Sequence, residues 1–379
     1  MTDPMTVLQV LPGLDSGGVE RGTVDLAREL VRRGHRSLVM SSGGRLQAQL
    51  EAEGSTHITY PVHRKSLASL WRVPGLRREL DELAPDVIHV RSRIPAWMVW
   101  LAVGKRPPGQ RPALVSTFHG LYSVSRYSAI MGCGDRVIAI SDCVRDYITG
   151  NYPQVDPARI TRIHRGVDTA QFPAGFTPSP EWRDTFFADY PAARDKPLLL
   201  MPGRLSRWKG QLEFIELLAR LRGANIACHG LVAGEGDPGK EAYREELVAR
   251  AAELGIAGDL SFLGHRSDMA ELYAVASVVC NLSQHAEPFG RTVIEALAVG
   301  TPVVAWNEGG PAESLRESLP AGLVTKGDMD ALAAAVSGFL AAPPAVSLPA
   351  SFTLQAQVEA TLAVYREAIA AGAAAQSGN

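Results

Sequence analysis

Two carboxylates eight residues apart, Glu287 and Glu295, bracket a segment suited to holding a sugar nucleotide. It runs His285-Ala-Glu287-Pro-Phe-Gly290-Arg-Thr-Val-Ile-Glu295 and passes from a β-rich run, Val278–Asn281, into a helical pattern ending before Gly300. A helix opening near Gly290 turns backbone N–H groups toward phosphate oxygens. Glu287 would stand just outside that terminus, where a capping or helix-dipole role is the simplest reading. Glu295 would lie one to two turns in, beside Ile294 and Leu297. A carboxylate there can accept both hydroxyls of a ribose, although a lone helix-surface charge would look the same. Upstream, MPGRLSRWKGQ sets Arg204 and Lys209 five apart around a turn that follows a strand. Such a pair can neutralise a diphosphate without a metal. In Asn307-Glu-Gly309-Gly310, two glycines after a strand would let backbone approach a ligand, and a plain loop–helix junction explains them equally well.

Other motifs carry less. Gly234-Glu-Gly236-Asp-Pro-Gly239 fits G-x-G-x-x-G between a strand and a helix, and with Lys240 it nearly fits a phosphate-binding P-loop. Glu235 and Asp237 inside it would repel a diphosphate. Glu241 replaces the Ser/Thr that would hold magnesium, and Asp259 begins a strand where a ribose-binding acid should end one. Asp328-Met-Asp330 has the spacing of a metal–diphosphate motif, but Asp328 is better explained as the N-cap of the helical run Ala331–Leu340. Arg91 and Arg93 flank Ser92 just after a strand. An anionic sugar acid or phosphate would suit them, and ordinary rim arginines are the plain alternative.

The elements that must position these groups alternate regularly. Strands are expected at Val7–Leu11, Ser37–Ser41, His57–Pro61, Val87–Val90, Leu114–Phe118, Arg136–Ile140 and Ile160–His164. A second series covers Leu198–Met201, Ala227–Val232, Leu260–Leu263, Val278–Asn281, Pro302–Trp306 and Gly322–Thr325. Helical patterns intervene, such as Val19–Arg33 with Gly34 as C-cap. This alternation predicts parallel sheets covered on both faces, with ligands outside the carboxyl ends of the strands. The expected architecture is α/β: two Rossmann-like domains facing across a cleft, at 1–175 and 190–350. The proline-rich stretch Phe172–Pro197 reads as their connector. A helix over Leu354–Ala371, with Val358, Leu362, Tyr365 and Ile369 on one face, is expected to return to the first domain.

Composition sets the remaining bounds. The 379 residues, 46% apolar and 21% charged, fit two globular domains and exclude disorder. Four scattered cysteines predict buried thiols in a reducing compartment, with a zinc site as the lesser alternative. The start, MTDPMTVLQV, predicts no secretory signal, and no apolar run is long enough to span a membrane. These features point to the cytoplasm. The first 175 residues carry 22 basic and 16 acidic side chains, which suits an anionic partner. No nucleic-acid-binding motif accompanies them. The stripe His63–Leu80, with Lys65, Arg72, Arg77 and Arg78 beside Leu67, Leu70 and Trp71, could rest on an anionic membrane at the cytoplasmic face; Pro74 interrupts it.

The segment E-P-F-G-R-T-V-I-E resembles the E-x7-E signature of the retaining glycosyltransferases of family 4, which have the GT-B fold. G-R-L-S-R-W-K-G is similar to their Arg/Lys phosphate loop. Gly17-Gly18, T-F-H-G at 117–120, A-I-S at 139–141 and I-H-R-G-V-D at 163–168 fall in the family's order. Within the family, G-G-V-E-R-G-T-V-D-L-A, H-V-R-S-R-I-P-A-W and G-R-L-S-R-W-K-G-Q look like proteobacterial lipopolysaccharide-core mannosyl- and glucosyltransferases.

The resemblance implies a metal-independent hexosyl transfer with retention, from a GDP- or UDP-linked hexose to a glycan or glycolipid acceptor of the cell envelope. It implies that Arg204 and Lys209 bind the diphosphate, Glu295 the ribose and Glu287 the donor sugar, with Phe289, Gly290, Arg291 and Thr292 supplying amides. His119 would touch the donor sugar across the cleft. Gly17 and Gly18 would let the first loop approach the diphosphate or acceptor, and Arg266 would border the base. Glu287 as a nucleophile and front-face attack both remain open. A same-fold sugar-nucleotide epimerase, a nicotinamide-dependent oxidoreductase using Gly234–Gly239 and a sugar-nucleotide-binding scaffold are the rival readings.

Overall fold

The structure is a computed structural model, and it describes residues 3–15, 17–63, 71–236 and 241–377. The chain divides into two compact units, Met1–Arg165 with Leu354–Asn379, and Gly166–Thr353.

The first unit holds a parallel sheet of seven strands: β1 (Thr6–Val10), β2 (Arg36–Ser41), β3 (Thr56–Thr59), β4 (Val87–Val90), β5 (Ala113–Phe118), β6 (Arg136–Ala139) and β7 (Ile160–Arg162). Their spatial order is β3-β2-β1-β4-β5-β6-β7. The second unit repeats the plan with β8 (Leu198–Pro202), β9 (His229–Ala233), β10 (Leu260–Gly264), β11 (Val278–Asn281), β12 (Val303–Trp306) and β13 (Leu323–Val324), ordered β10-β9-β8-β11-β12-β13. Every expected strand is present within a few residues. β1, β4, β8, β11 and β12 are buried along nearly their whole length, as strands covered on both faces must be. In each sheet the order reverses once, between β1 and β4 and between β8 and β11. Open α/β sheets bind ligands at the carboxyl ends flanking such a reversal.

The C-terminal helix, Leu354–Ser377, belongs to the first unit. Its Val358, Leu362, Tyr365 and Ala368 join Val7, Leu26, Val87 and Val115 in one core cluster. Each valine or leucine among them contributes about 1.5–3 kcal/mol on burial. The helix is also pinned by a polar contact: the Tyr365 hydroxyl lies 2.7 Å from His89 Nδ1, and His89 Nε2 lies 2.6 Å from Thr117 Oγ1.

Several expectations need correction. Phe172–Pro197 is not a bare connector. It forms a helix, Pro180–Asp189, capped by Ser179, whose oxygen accepts from Trp182 N at 3.2 Å. Trp182 stacks on the buried Phe186, with centroids 4.9 Å apart, so apolar burial outweighs the flanking prolines. Pro74 marks where the helical part of the basic stripe begins. It sits in the first turn of the helix Val73–Leu83, where its missing N–H costs nothing. Leu76 and Leu80 of that helix are core residues, while Trp71 ahead of it is 88% exposed. Residues 64–70, which carry Lys65, Leu67 and Leu70, lie outside the described residues. No helix among the described residues is long and apolar enough to cross a membrane.

Candidate functional site

In the second unit, the loops after β8 and β11 flank the sheet's reversal and are tied together. Gln284 N donates to Trp208 O at 2.7 Å. Gly210 has φ 83°, and a Cβ there would stand 2.0 Å from Leu282 O, so only glycine permits this approach. The tie carries Lys209 to Glu287, with Nζ 2.5 Å from Oε1. Glu287 Oε2 accepts from Asn281 Nδ2 at 2.8 Å and from Ser283 Oγ at 3.2 Å. Glu287 is therefore an anchored carboxylate four residues ahead of the helix Arg291–Val299, not a cap. Arg204 lies on the same loop as Lys209 with its side chain exposed, and its carbonyl accepts from Gln211 Nε2 at 3.0 Å.

Glu295 is on that helix, with its side chain only 13% exposed. Its Oε2 accepts from the Tyr273 hydroxyl at 3.0 Å, and Arg291 Nε lies 3.3 Å from Oε1. Burial, and then the Glu295 charge, push the Tyr273 phenol well above its ordinary range, so it stays a donor. The Arg291 contact is the ordinary i,i+4 pair of a helix surface; the buried Tyr273 hydroxyl, brought from another helix, is what sets Glu295 apart from a surface helix charge. Gly290 is the N-cap, Phe289 is buried against Phe352 with centroids 6.3 Å apart, and Thr292 is partly exposed in the first turn. The Gly309-Gly310 pair faces this chain's own backbone: Gly310 N donates to Glu287 O at 2.8 Å. Arg266 does follow β10, but its guanidinium is held by Asp268, with Nε 2.8 Å from Oδ1, and this bond raises its pKa.

The motifs set aside earlier have structural roles. Gly234 N donates to Gly264 O at 2.8 Å, closing strand ends together; Asp237–Lys240 lie outside the described residues. Asp328 caps its helix by accepting from Ala331 N at 2.9 Å. None of the four cysteines forms a disulfide, and Cys228 and Cys280 are buried.

In the first unit, His119 follows β5. Arg165 NH2 lies 2.8 Å from its Nδ1, and Arg165 NH1 donates to Gly18 O at 2.6 Å. His119 Nε2 is buried and has no partner among the described residues. Burial, followed by Arg165, Arg91 and His89, holds the imidazole well below its ordinary pKa, so it is neutral. Gly17 and Gly18 open the helix Gly18–Arg32 and are exposed.

Arg91 and Arg93 differ from expectation. Arg91 is 4% exposed, bonded through NH1 to Gln9 Oε1 at 2.7 Å, and burial lowers its pKa to about 10. It is a buried cation, not a rim arginine. Arg93 lies over Tyr122 at 4.9 Å and Tyr127 at 5.4 Å, and donates to Ser128 Oγ at 3.2 Å. The alternating strand pattern placed both after β4 but could not show that Gln9 of β1 takes Arg91 or that Tyr122 and Tyr127 pack on Arg93. Sequence reasoning also missed Tyr273, Asn281, Ser283 and Arg165. The first three are contacts made by folding alone, while Arg165 lies within the I-H-R-G-V-D segment.

Residues 16–171 match the Glycosyltransferase Family 4 model, and residues 183–357 match that of the group 1 glycosyl transferases. A D-inositol 3-phosphate glycosyltransferase of Mycolicibacterium paratuberculosis is 30% identical over 320 residues, covering 75% of this chain and 67% of that protein. The chain belongs to the family 4 and group 1 glycosyltransferases. A glycosyltransferase of Rickettsia africae ESF-5 superposes with a TM-score of 0.82 at 28% identity, covering 97% of this chain and 99% of that one. Anabaena HepE, solved in complex with UDP and glucose, superposes at 0.73 with 22% identity, covering 96% and 98%, a likeness of fold alone. The two parallel sheets of this glycosyltransferase are thus the two Rossmann-like halves of the GT-B fold.

Proposed function

We propose that this glycosyltransferase moves a hexose, with retention, from a UDP- or GDP-linked donor to an acceptor bearing a phosphate or other anionic group. The observation that carries the donor half is the Lys209–Glu287 contact at the carboxyl edge of β8 and β11. Lys209 and Arg204 neutralise the departing diphosphate, where negative charge grows as the anomeric C–O bond breaks. Glu295, aimed by Tyr273, receives the ribose hydroxyls. Helix N–H groups from Gly290 to Thr292 meet phosphate oxygens. His119 Nε2–H donates to a substrate oxygen. Arg266, held by Asp268, borders the base.

Glu287 accepts from Lys209, Asn281 and Ser283, and so offers little lone-pair density to an anomeric carbon. That favours front-face attack, with the leaving phosphate taking the acceptor's proton. The anionic acceptor is supported by the basic first unit, where Arg91, Arg93 and Arg165 gather around the end of β4 and β5. It is supported too by the relative named for D-inositol 3-phosphate. The motif resemblance to lipopolysaccharide-core enzymes suggests a cell-envelope glycan bearing such a group, made at the cytoplasmic face of the membrane.

The test is a matrix of UDP-, GDP- and ADP-hexoses against phosphorylated polyols and anionic oligosaccharides, with and without a chelator, reading nucleotide release and product anomer. One donor class, a product of retained configuration and activity surviving chelation are expected. Donor turnover without an acceptor, or NAD(P) reduction, would replace this reading with an epimerase or oxidoreductase.

A further inference from the structure

We propose that Arg165 is a positioning residue: its guanidinium donates to His119 Nδ1, holds the imidazole as the Nε2–H tautomer and aims that N–H at a substrate oxygen. The inference rests on the reading of His119 as a substrate-contacting group.

A guanidinium has donors and no acceptor. With Arg165 NH2 2.8 Å from Nδ1, that nitrogen must accept, so the ring proton of the neutral imidazole lies on Nε2. Nε2–H is then a buried donor with no partner among the described residues. Leaving such a donor unsatisfied costs about 1–3 kcal/mol, which a substrate oxygen would recover. Arg165 is itself fixed, because its NH1 donates to Gly18 O at 2.6 Å at the start of the Gly18–Arg32 helix. His119 is held from its own loop as well, with its backbone N 3.4 Å from the Tyr122 hydroxyl. The charged and titratable groups facing the ring are Arg165 beyond β7, Arg91 beyond β4, His89 within β4 and Tyr122. Burial, and then the cations among them, oppose protonation, so the ring donates as a neutral group.

The test is long-range proton–nitrogen NMR of the ¹⁵N-labelled full chain, with His119→Gln assigning the resonances. In the wild type, His119 should show an acceptor Nδ1, a protonated Nε2 and no titration through the neutral range. In Arg165→Leu, its pKa should climb toward 6.5, the neutral ring should become a tautomer mixture, and kcat should fall about 10- to 100-fold while nucleotide affinity holds. Arg165→Lys should restore the neutral ring and most of kcat. If Arg165→Leu does not fold, Arg165→Gln serves, keeping a donor without the charge; there the tautomer should persist while the pKa rises. Unchanged His119 resonances and titration in the variant would overturn the proposal. Altered resonances with unchanged kcat would leave the tautomer lock standing and remove His119 from the substrate contacts.

Discussion

Tyr273 donates its buried hydroxyl to Glu295 Oε2 at 3.0 Å, joining the helix Met269–Val275 to the helix Arg291–Val299 beneath the proposed ribose site. The bond fixes one oxygen of Glu295 from below. The other is approached from the same helix by Arg291 Nε at 3.3 Å.

Tyr273→Phe keeps the ring and removes that donor. A hydrogen bond to a charged group is worth about 1.5–3 kcal/mol, so donor-nucleotide Kd should weaken about tenfold or more as Glu295 loses its orientation. Isothermal titration calorimetry on variant and wild type measures it. Unchanged affinity would mean that Glu295 does not bind the ribose.

On the proposed mechanism, Lys209→Ala removes a cation from the point where leaving-group charge grows. kcat should fall about 10²- to 10³-fold with a smaller change in donor KM. Lys209 and Glu287 are both partly exposed, and Glu287 keeps Asn281 and Ser283, so global stability should move by less than ~1 kcal/mol. Kinetics and urea unfolding separate the two effects. A stability loss matching the activity loss would make the pair structural.

The fold was legible because parallel strands buried on both faces are written as short apolar runs, and each run is separated from the next by a helical period. The acids and cations of the proposed donor site could be picked out because they come soon after the reversal strands β8 and β11. What the sequence hid were partners brought from other elements. Tyr273 reaches Glu295 across 22 positions, and Arg165 reaches His119 across 46. Arg91 looked exposed because nothing local in the chain shows that Gln9, on another strand, takes its NH1. The 309–310 glycines left a ligand approach and a plain loop–helix junction equally open, since close contact with a ligand and with one's own backbone demand the same residue.

That last ambiguity is testable. A Cβ on Gly310 would stand 2.3 Å from Phe289 Cα and 2.6 Å from Phe289 O. Gly310→Ala must therefore displace the segment carrying Glu287, and both donor affinity and unfolding free energy should drop, the latter by ~1–3 kcal/mol. Gly338 lies in the helix Met329–Ala341, where a Cβ would meet nothing within 4 Å. Gly338→Ala should stabilise by ~0.5–1 kcal/mol and leave donor binding unchanged. Differential scanning calorimetry with and without nucleotide reads both. A well-folded Gly310→Ala with normal affinity would show the loop to be tolerant.

Stability should also carry a pH signature from the amino end of β9. His229 is fully buried there, with Nε2 2.8 Å from Ser261 Oγ and Nδ1 without a partner among the described residues. Burial, and then the Lys196 charge, lower its pKa from 6.5 to about 4. The unfolded chain therefore takes up a proton near pH 6.5, while the folded chain resists until near pH 4. Between those values the unfolded state binds more protons, so the stability contributed by the neutral ring is full above 6.5 and is lost as pH falls toward about 4. His229→Gln does not titrate. Subtracting its unfolding free energy from that of the wild type cancels the other acid-sensitive groups, including His89 and His119, which sit in the other unit. The difference should shrink steadily on acidification through that window when urea midpoints are followed at each pH. A difference independent of pH would mean that His229 takes up its proton in the fold as readily as in the unfolded chain, against the burial argument.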